Sequence, residues 1–390
     1  MICYPSSGLP IFLSLFGIAW LFWRRFHGKD ATQSLPPPQN LKPADAASAE
    51  APYYQISPLP DFNWQTTPPL QIRPFKPKYH LTMALQKITL SELLETDSTY
   101  LERITLRRQL IKDKADAVVA ANAAVGPAVS EFYEWMVGTY LPSRYPTMFQ
   151  TAPATPDAGQ KAGRLANLVT HEDIPLAAPT DTTESLKVLG AHIDTDFLFL
   201  LPGARPGATS EPEYKLEGFV TCFPSGFSTL AKLGLGLADI HAPVPGYGAR
   251  LARSMDRFFG ALAVGRAVKR LNWAVTTHAD LFATEGTHLY PARDAAAGEA
   301  EPWPAEEEDV DIDCAVLRCE RQTLHRLPRT RALVFAFKTY QYPLARIKEE
   351  GSGEELAVAV EGLGKGNAPG MEVYKRGVVW GRDVVRFLRA

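Results

Sequence analysis

Cysteine is scarce in this chain: there are four, Cys3, Cys222, Cys314 and Cys319, in 390 residues. None falls in a C-x-x-C pair. Cys314 and Cys319 are five apart, with no histidine pair to complete a zinc pattern. This excludes a disulfide-stapled domain and points to reduced thiols in a cytosolic setting. An excess of either charge is also missing. The 41 Lys and Arg against 43 Asp and Glu leave a formal charge of -2, so no nucleic-acid partner is expected. There is no G-x-G-x-x-G and no G-x-x-x-x-G-K-[ST]. "GLGKGNAPG" at 362–370 is glycine-rich but lacks the strand–loop–helix setting of a phosphate cradle, and reads as a plain loop. Ser225, in "FPSGFS", is not inside G-x-S-x-G, which argues against a hydrolase elbow and for a turn cap. No internal repeat is visible. The hydrophobic fraction, 46%, is ordinary for a globular chain long enough to bury its own core.

Long apolar runs are confined to the N-terminus. Met1 to Trp23 carries no charged side chain, and "LPIFLSLFGIAWLFW" (9–23) leads into "RRFHGK". About twenty apolar residues span a bilayer. A cleaved signal peptide would carry its positive charge before the run and an A-x-A-like site after it. Here the charge follows, and the positive-inside rule keeps Arg24, Arg25 and Lys29 cytosolic. The expectation is an anchor over 1–30, contacting the membrane through 9–23, in a single-pass protein of the endoplasmic reticulum whose body faces the cytosol. Pro5 and Pro10 weaken the helix, so a signal peptide or a buried hairpin is the other reading.

Residues 31–73 are proline-dense and aperiodic, a linker without a core of its own. Tyr53, Tyr54, Phe62 and Trp64 suggest that its second half packs onto the body, residues 74–390. From Met83 the spacing turns helical, with Ser91 as a candidate cap. Further helices are predicted over 126–141, about 183–192, 248–264 and 278–283, and at the C-terminus. "DFLFLLP", "YKLEGFVTCFPS", "AVKRLNWAVTTH" and two runs around Pro328 read as strands. Residues 292–313 form an acidic, solvated loop. Helices first, then mixed strands and helices, predict an α+β fold with an antiparallel sheet and flanking helices.

Three clusters carry possible chemistry. "HID" places His192 and Asp194 in H-x-D form. With His241 they would make a two-His-one-carboxylate site for non-haem iron. His241 itself precedes two prolines in "IHAPVPG". A rigid loop suits either an axial metal ligand or a histidine that only hydrogen-bonds locally. "RLNW" aligns Arg270 and Asn272 on one strand face, fit for a carboxylate or for pairing with acidic neighbours. In "RCERQTLHRLP", Arg318, Glu320 and Gln322 share one face, while Cys319, Arg321 and Thr323 share the other. Buried arginine there needs an anion, from Glu320 or from a ligand. Arg250, Arg253 and Arg257 share a helix face that is either solvated or meets an anionic group or donor.

Taken in order, "FKPKYHLTMALQKITLSELLETDSTY", "LPSRYP", "YKLEGFVTCFPSGF", "KLGLGLADIHAPVPGY", "RSMDRFF", "RLNW" and "LRCERQTLHRLPRTRALVFAF" cover roughly 74–345. In these motifs the chain resembles the haem-dependent oxidative N-demethylase alpha-subunit-like family, in its fungal branch. The resemblance implies a PAS-like α+β fold holding haem b, and oxidative N-demethylation of a small or N-methylated amine with release of formaldehyde. It implies NADPH-derived electrons through flavin and iron–sulfur partners. This chain has neither a dinucleotide fingerprint nor an iron–sulfur cysteine run, so a separate reductase is expected. By the same resemblance, His241 is the iron ligand. Arg270, Asn272, Arg318, Arg321 and Gln322 bind propionates or line the distal pocket, with Glu320 beside them as a catalytic candidate. Asp196 orients the amine or relays a proton. Ala84 stands where glycine is expected. The readings set against this are a membrane-tethered PAS-like binding or sensor protein without catalysis, and the non-haem iron oxygenase.

Overall fold

The computed structural model describes residues 53–152, 163–203, 213–289 and 310–390. The predicted anchor (1–30) and most of the acidic loop lie outside them. Among the described residues no helix is long and apolar enough to cross a membrane.

Among the described residues, ten strands form two antiparallel sheets. They are β1 (Gln86–Ile88), β2 (Val119–Ala121), β3 (Phe149–Ala152), β4 (Arg164–Asn167), β5 (Glu172–Pro175), β6 (Asp196–Gly203), β7 (Glu213–Val220), β8 (Ala267–Thr276), β9 (Val316–Arg326) and β10 (Leu333–Pro343). The large sheet runs β1-β8-β9-β10-β6-β7-β2, and the small one β3-β4-β5. The longest pairing is the β9–β10 hairpin, in register from Val316↔Pro343 to Arg326↔Leu333. Its turn carries Pro328, as the sequence predicts. Alternation along these strands gives the sheet two faces. Phe197, Phe199, Val334 and Ala336 enter the main core, together with α1 (Tyr100–Asp113), α2 (Gly126–Trp135) and α3 (Thr182–His192). Leu200, Leu216, Leu324 and Leu333 belong to a second cluster, which includes α4 (Leu237–Ile240) and α5 (Ala252–Ala261). A third, around Trp273, Tyr340 and Trp380, packs α6 (Gly353–Glu361) and α7 (Gly377–Arg389).

Local chemistry sets the helix limits. Asp181 caps α3 by accepting from Thr183 N at 2.7 Å. α1 buries Tyr100, Ile104, Arg107 and Leu110, a stripe at three- and four-residue spacing that includes an arginine. That arginine has a carboxylate partner: Arg107 Nη1 lies 2.6 Å from Asp196, with both side chains almost wholly buried.

Several expectations are corrected. Ser91 does not cap a helix. Thr89 and Glu92 form the capping box of a single turn, and Ser91 Oγ accepts from Ser57 N. Residues 278–283 are not helical, because the carbonyls of Asp280 and Leu281 accept from Arg318. The segment after Tyr79 is extended, not helical. Tyr79, Leu81, Met83 and Leu85 are turned in while His80, Thr82, Ala84 and Gln86 are exposed. The later linker does pack onto the body. Tyr53 is buried against Trp135 at 4.3 Å between ring centroids, and Ile72 N donates to Tyr342 Oη, whereas Tyr54 stays exposed. The glycine-rich 362–370 stretch holds this extended strap. A Cβ on Gly366 would sit 1.4 Å from the Tyr79 carbonyl, and Asn367 bonds both the N–H and the carbonyl of Leu81.

Candidate functional site

A cavity of about 270 Å³ lies between the large sheet, the strap and the segment around α4 and α5. Leu81, Leu198, Leu216, Leu237, Met255 and Phe259 give it apolar walls. Its polar end comes from one face of β8 and β9. Register places Arg270 opposite Gln322, Asn272 opposite Glu320 and Ala274 opposite Arg318, and all six residues line the cavity. Side chains opposed in this way sit within about 5.5 Å of each other.

His241 follows α4 directly. Its Nδ1 is 2.8 Å from the Leu237 carbonyl oxygen. A carbonyl can only accept, so Nδ1 carries the hydrogen and Nε2 the lone pair. Gly246, at φ 77, turns the chain after Pro243 and Pro245 and returns Tyr247 onto the imidazole. The rings stack at 4.7 Å and 15°. Burial, and after it the positive charges of Lys232 and Arg270, push the His241 pKa down to about 4, which keeps the ring neutral at pH 7.

Around the polar end the arginines differ. Arg318 is 2% exposed and donates to four backbone carbonyls, of Phe223, Pro224, Asp280 and Leu281, at 2.9–3.1 Å. It ties two loops to the sheet, and burial lowers its pKa to about 10. Arg270 Nε is buried without a hydrogen-bond partner. Gln322 Nε2 donates to Glu320 Oε2 at 2.8 Å.

Three cavity residues escaped the sequence reading. Lys375, 3% exposed, donates to the Trp273 carbonyl and lies 3.4 Å from Asn272 Oδ1. Burial and then Arg270 lower its pKa to about 7. Lys232 is lowered to about 8 by burial. The His288 ring lies 4.5 Å from that of Tyr374, and burial lowers its pKa to about 3. Lys232 opens the "KLGLGLADIHAPVPGY" motif, but no motif marks Lys375 or His288; the fold brings them to the cavity.

Other predicted site residues lie elsewhere. Arg321 points to the opposite face of the sheet. There it donates to the carbonyls of Glu92 and Leu93 and pairs with Glu95 at 3.3 Å. Asp196 is outside the cavity lining. It accepts from Arg107, Cys222 N and Phe223 N at 2.6, 2.8 and 2.9 Å. The non-haem iron set is not assembled. His192 ends α3 beside Arg108 and Asn167, and Asp194 pairs with Lys338 at 3.1 Å. Among the described residues, no three His, Cys, Asp or Glu side chains are grouped to hold a metal ion. Arg250, Arg253 and Arg257 are exposed, outside the cavity lining.

The cavity therefore offers neutral imidazole nitrogens, His241 held through a backbone carbonyl, together with apolar walls and a cation-rich end. A family model described as "Haem-dependent oxidative N-demethylase, alpha subunit-like" matches residues 84–385, about three quarters of the chain.

Proposed function

Because the chain belongs to the haem-dependent oxidative N-demethylase alpha-subunit-like family, we propose that its cavity binds haem b and serves oxidative N-demethylation of a small amine. The observation that carries this reading is the His241 ring. Its Nδ1–H is committed to Leu237, so its Nε2 lone pair is left for a ligand in an apolar cavity. Imidazoles that hold iron are commonly fixed through the other ring nitrogen in this way. The rest of the donor set fits the same group. Leucine, Met255 and Phe259 side chains suit the macrocycle, and Arg270, with its unpartnered Nε, suits a propionate beside Asn272. Haem, when bound, supplies an iron centre for oxygen chemistry.

The protein's own residues have separate tasks. His241 holds the iron through Nε2, and Tyr247 fixes its ring plane. Arg270 and Asn272 orient the carboxylates. Arg318 keeps the loops at 223–224 and 280–281 against the sheet. Glu320, the one carboxylate among the lining residues, receives the ammonium form of the amine. Asp196 and Arg321 act on the framework and not on the substrate. The reaction requires two electrons for each methyl group removed as formaldehyde. No dinucleotide fingerprint is present in the sequence, so a separate NADPH-linked reductase delivers them. Taking β6 to β10 as first to fifth, their order across the sheet is 2-1-5-4-3, which supports the PAS-like assignment. The N-terminal apolar run tethers the body to the cytosolic face of the endoplasmic reticulum. Recovery of the full chain in a carbonate-resistant membrane pellet is expected, and full solubility would refute the tether.

The test is the absorbance spectrum of the purified full chain after haem supplementation, beside His241→Ala. A Soret band in the wild type and a shifted or lost band in the variant are expected. No Soret band in the wild type ends the haem reading, and an unshifted band in the variant moves the ligand elsewhere. A Soret band without formaldehyde release, given NADPH, reductase and a panel of methylamines, would make the protein a haem-binding sensor.

A further inference from the structure

The lining of the cavity is electrically lopsided. Among the described residues, five cationic side chains face it, Lys232, Lys269, Arg270, Arg318 and Lys375, against the single carboxylate of Glu320. Four backbone carbonyls satisfy most of Arg318, and two haem propionates, on the reading above, would balance two more charges. Positive charge still remains. A plain alkylammonium ion entering this cavity finds one partner, Glu320, which is already engaged by Gln322. It also meets repulsion from Lys232 and Lys375, both close enough to Glu320 to be influenced by its charge. Burial lowers the pKa of both lysines, Arg270 lowers that of Lys375 further, and Glu320 offsets part of each shift.

Lys375 has the geometry of an anion receptor. An ammonium group has three donors. Two are directed at the Trp273 carbonyl and Asn272 Oδ1, which leaves one. Asn272 is the register partner of Glu320 on the neighbouring strand. Lys375 Nζ is thus held one side chain away from the carboxylate. A cation receptor and an anion receptor on such neighbouring side chains match a ligand that carries an ammonium and a carboxylate close together.

We propose that the substrate is an N-methylated amino acid, its carboxylate taken by Lys375 and its ammonium by Glu320. This deepens the demethylase reading and rests on it for the reaction, but not for the binding step.

Binding can therefore be tested apart from turnover. Calorimetric titration of the full chain at pH 6, where Lys375 is mostly charged, would compare N-methylglycine, dimethylamine and acetate, with the Soret band recorded on the same samples. N-methylglycine is expected to bind at least about tenfold more tightly than dimethylamine, the scale of one charge-assisted contact. Lys375→Met should erase that preference by weakening N-methylglycine, while dimethylamine, relieved of the Lys375 charge, binds no more weakly than before. Lys375→Arg should restore part of it. Equal wild-type affinities for the two amines overturn the proposal, whether or not the variants fold. An unchanged preference in a folded Lys375→Met protein overturns it too. A preference without a Soret band sinks the haem reading alone, and a Soret band without a preference sinks this proposal alone.

Discussion

Replacing Asp196 with alanine separates a framework role from a catalytic one. The carboxylate is 1% exposed and accepts three hydrogen bonds, from Arg107 Nη1 and from the backbone N–H groups of Cys222 and Phe223. Arg107 is wholly buried, and its other bonds go to the carbonyls of Gly190 and Thr195 at 2.7 and 2.9 Å. Removing the carboxylate strands a guanidinium in the core, which costs about 3–5 kcal/mol. Two orphaned backbone donors add roughly 1 kcal/mol or more each where water cannot reach them. A net loss near 5 kcal/mol is expected, a large part of the ~5–15 kcal/mol that holds a typical domain together. Urea unfolding of the full chain, followed by tryptophan fluorescence, measures it as a lower midpoint at unchanged slope. The paired change Arg107→Met with Asp196→Leu should lose less than the two single losses combined, because it removes both charges. A loss below about 1 kcal/mol in Asp196→Ala, accompanied by loss of turnover, would refute this account and return Asp196 to the chemistry.

Two other outcomes follow from backbone and charge. Lys375 titrates at about 7 in the fold and near 10.5 unfolded, through burial and then Arg270, partly offset by Glu320. Between these values the unfolded chain binds more protons, so this residue makes stability rise with pH, by at most ~1.4 kcal/mol per unit. Stability measured from pH 6 to 10 should therefore rise less steeply in Lys375→Met, and parallel curves would contradict the assignment. Ala84 holds a left-handed φ of 50, which costs a non-glycine residue about 1 kcal/mol. Ala84→Gly should stabilise by up to ~1 kcal/mol after its own entropy cost, and a clear loss in urea unfolding would show that Ala84 is not strained.

Much of the sheet was legible because period-two patterning survives along its long strands. β8 and β9 carry polar runs inside apolar frames, and the alternation of Arg318, Glu320 and Gln322 against Cys319 and Arg321 already separated two faces. The resemblance, not the alternation, assigned Arg321 to the site; its parity already set it on the opposite face, where it meets Glu92, Leu93 and Glu95. The prolines after His241 left it open between a ligand and a loop residue, and the resemblance chose the ligand; its Nδ1–H anchor needs a carbonyl four residues back, which no composition reveals. "YHLTMAL" holds a clean alternation that a neighbouring helical pattern masked. Lys375 was invisible because a lysine in an amphipathic C-terminal stretch reads as solvated. It is buried only because the chain folds back onto β8. The expected glycine at 84 did have a physical basis, since the backbone there takes the left-handed turn that glycine adopts freely.

The strap over the cavity also has an engineering meaning. Its inward side chains, Tyr79, Leu81, Met83 and Leu85, touch the cavity, while His80, Thr82 and Ala84 face away. Its attachment is largely local: two bonds from Asn367, close packing on Gly366, and the short pairing of β1 with β8. Seven consecutive residues therefore behave as an exchangeable cassette. Four of them can be rewritten to reshape the ligand's apolar surroundings without moving a strand, and the other three offer attachment points for a reporter that senses occupancy from outside.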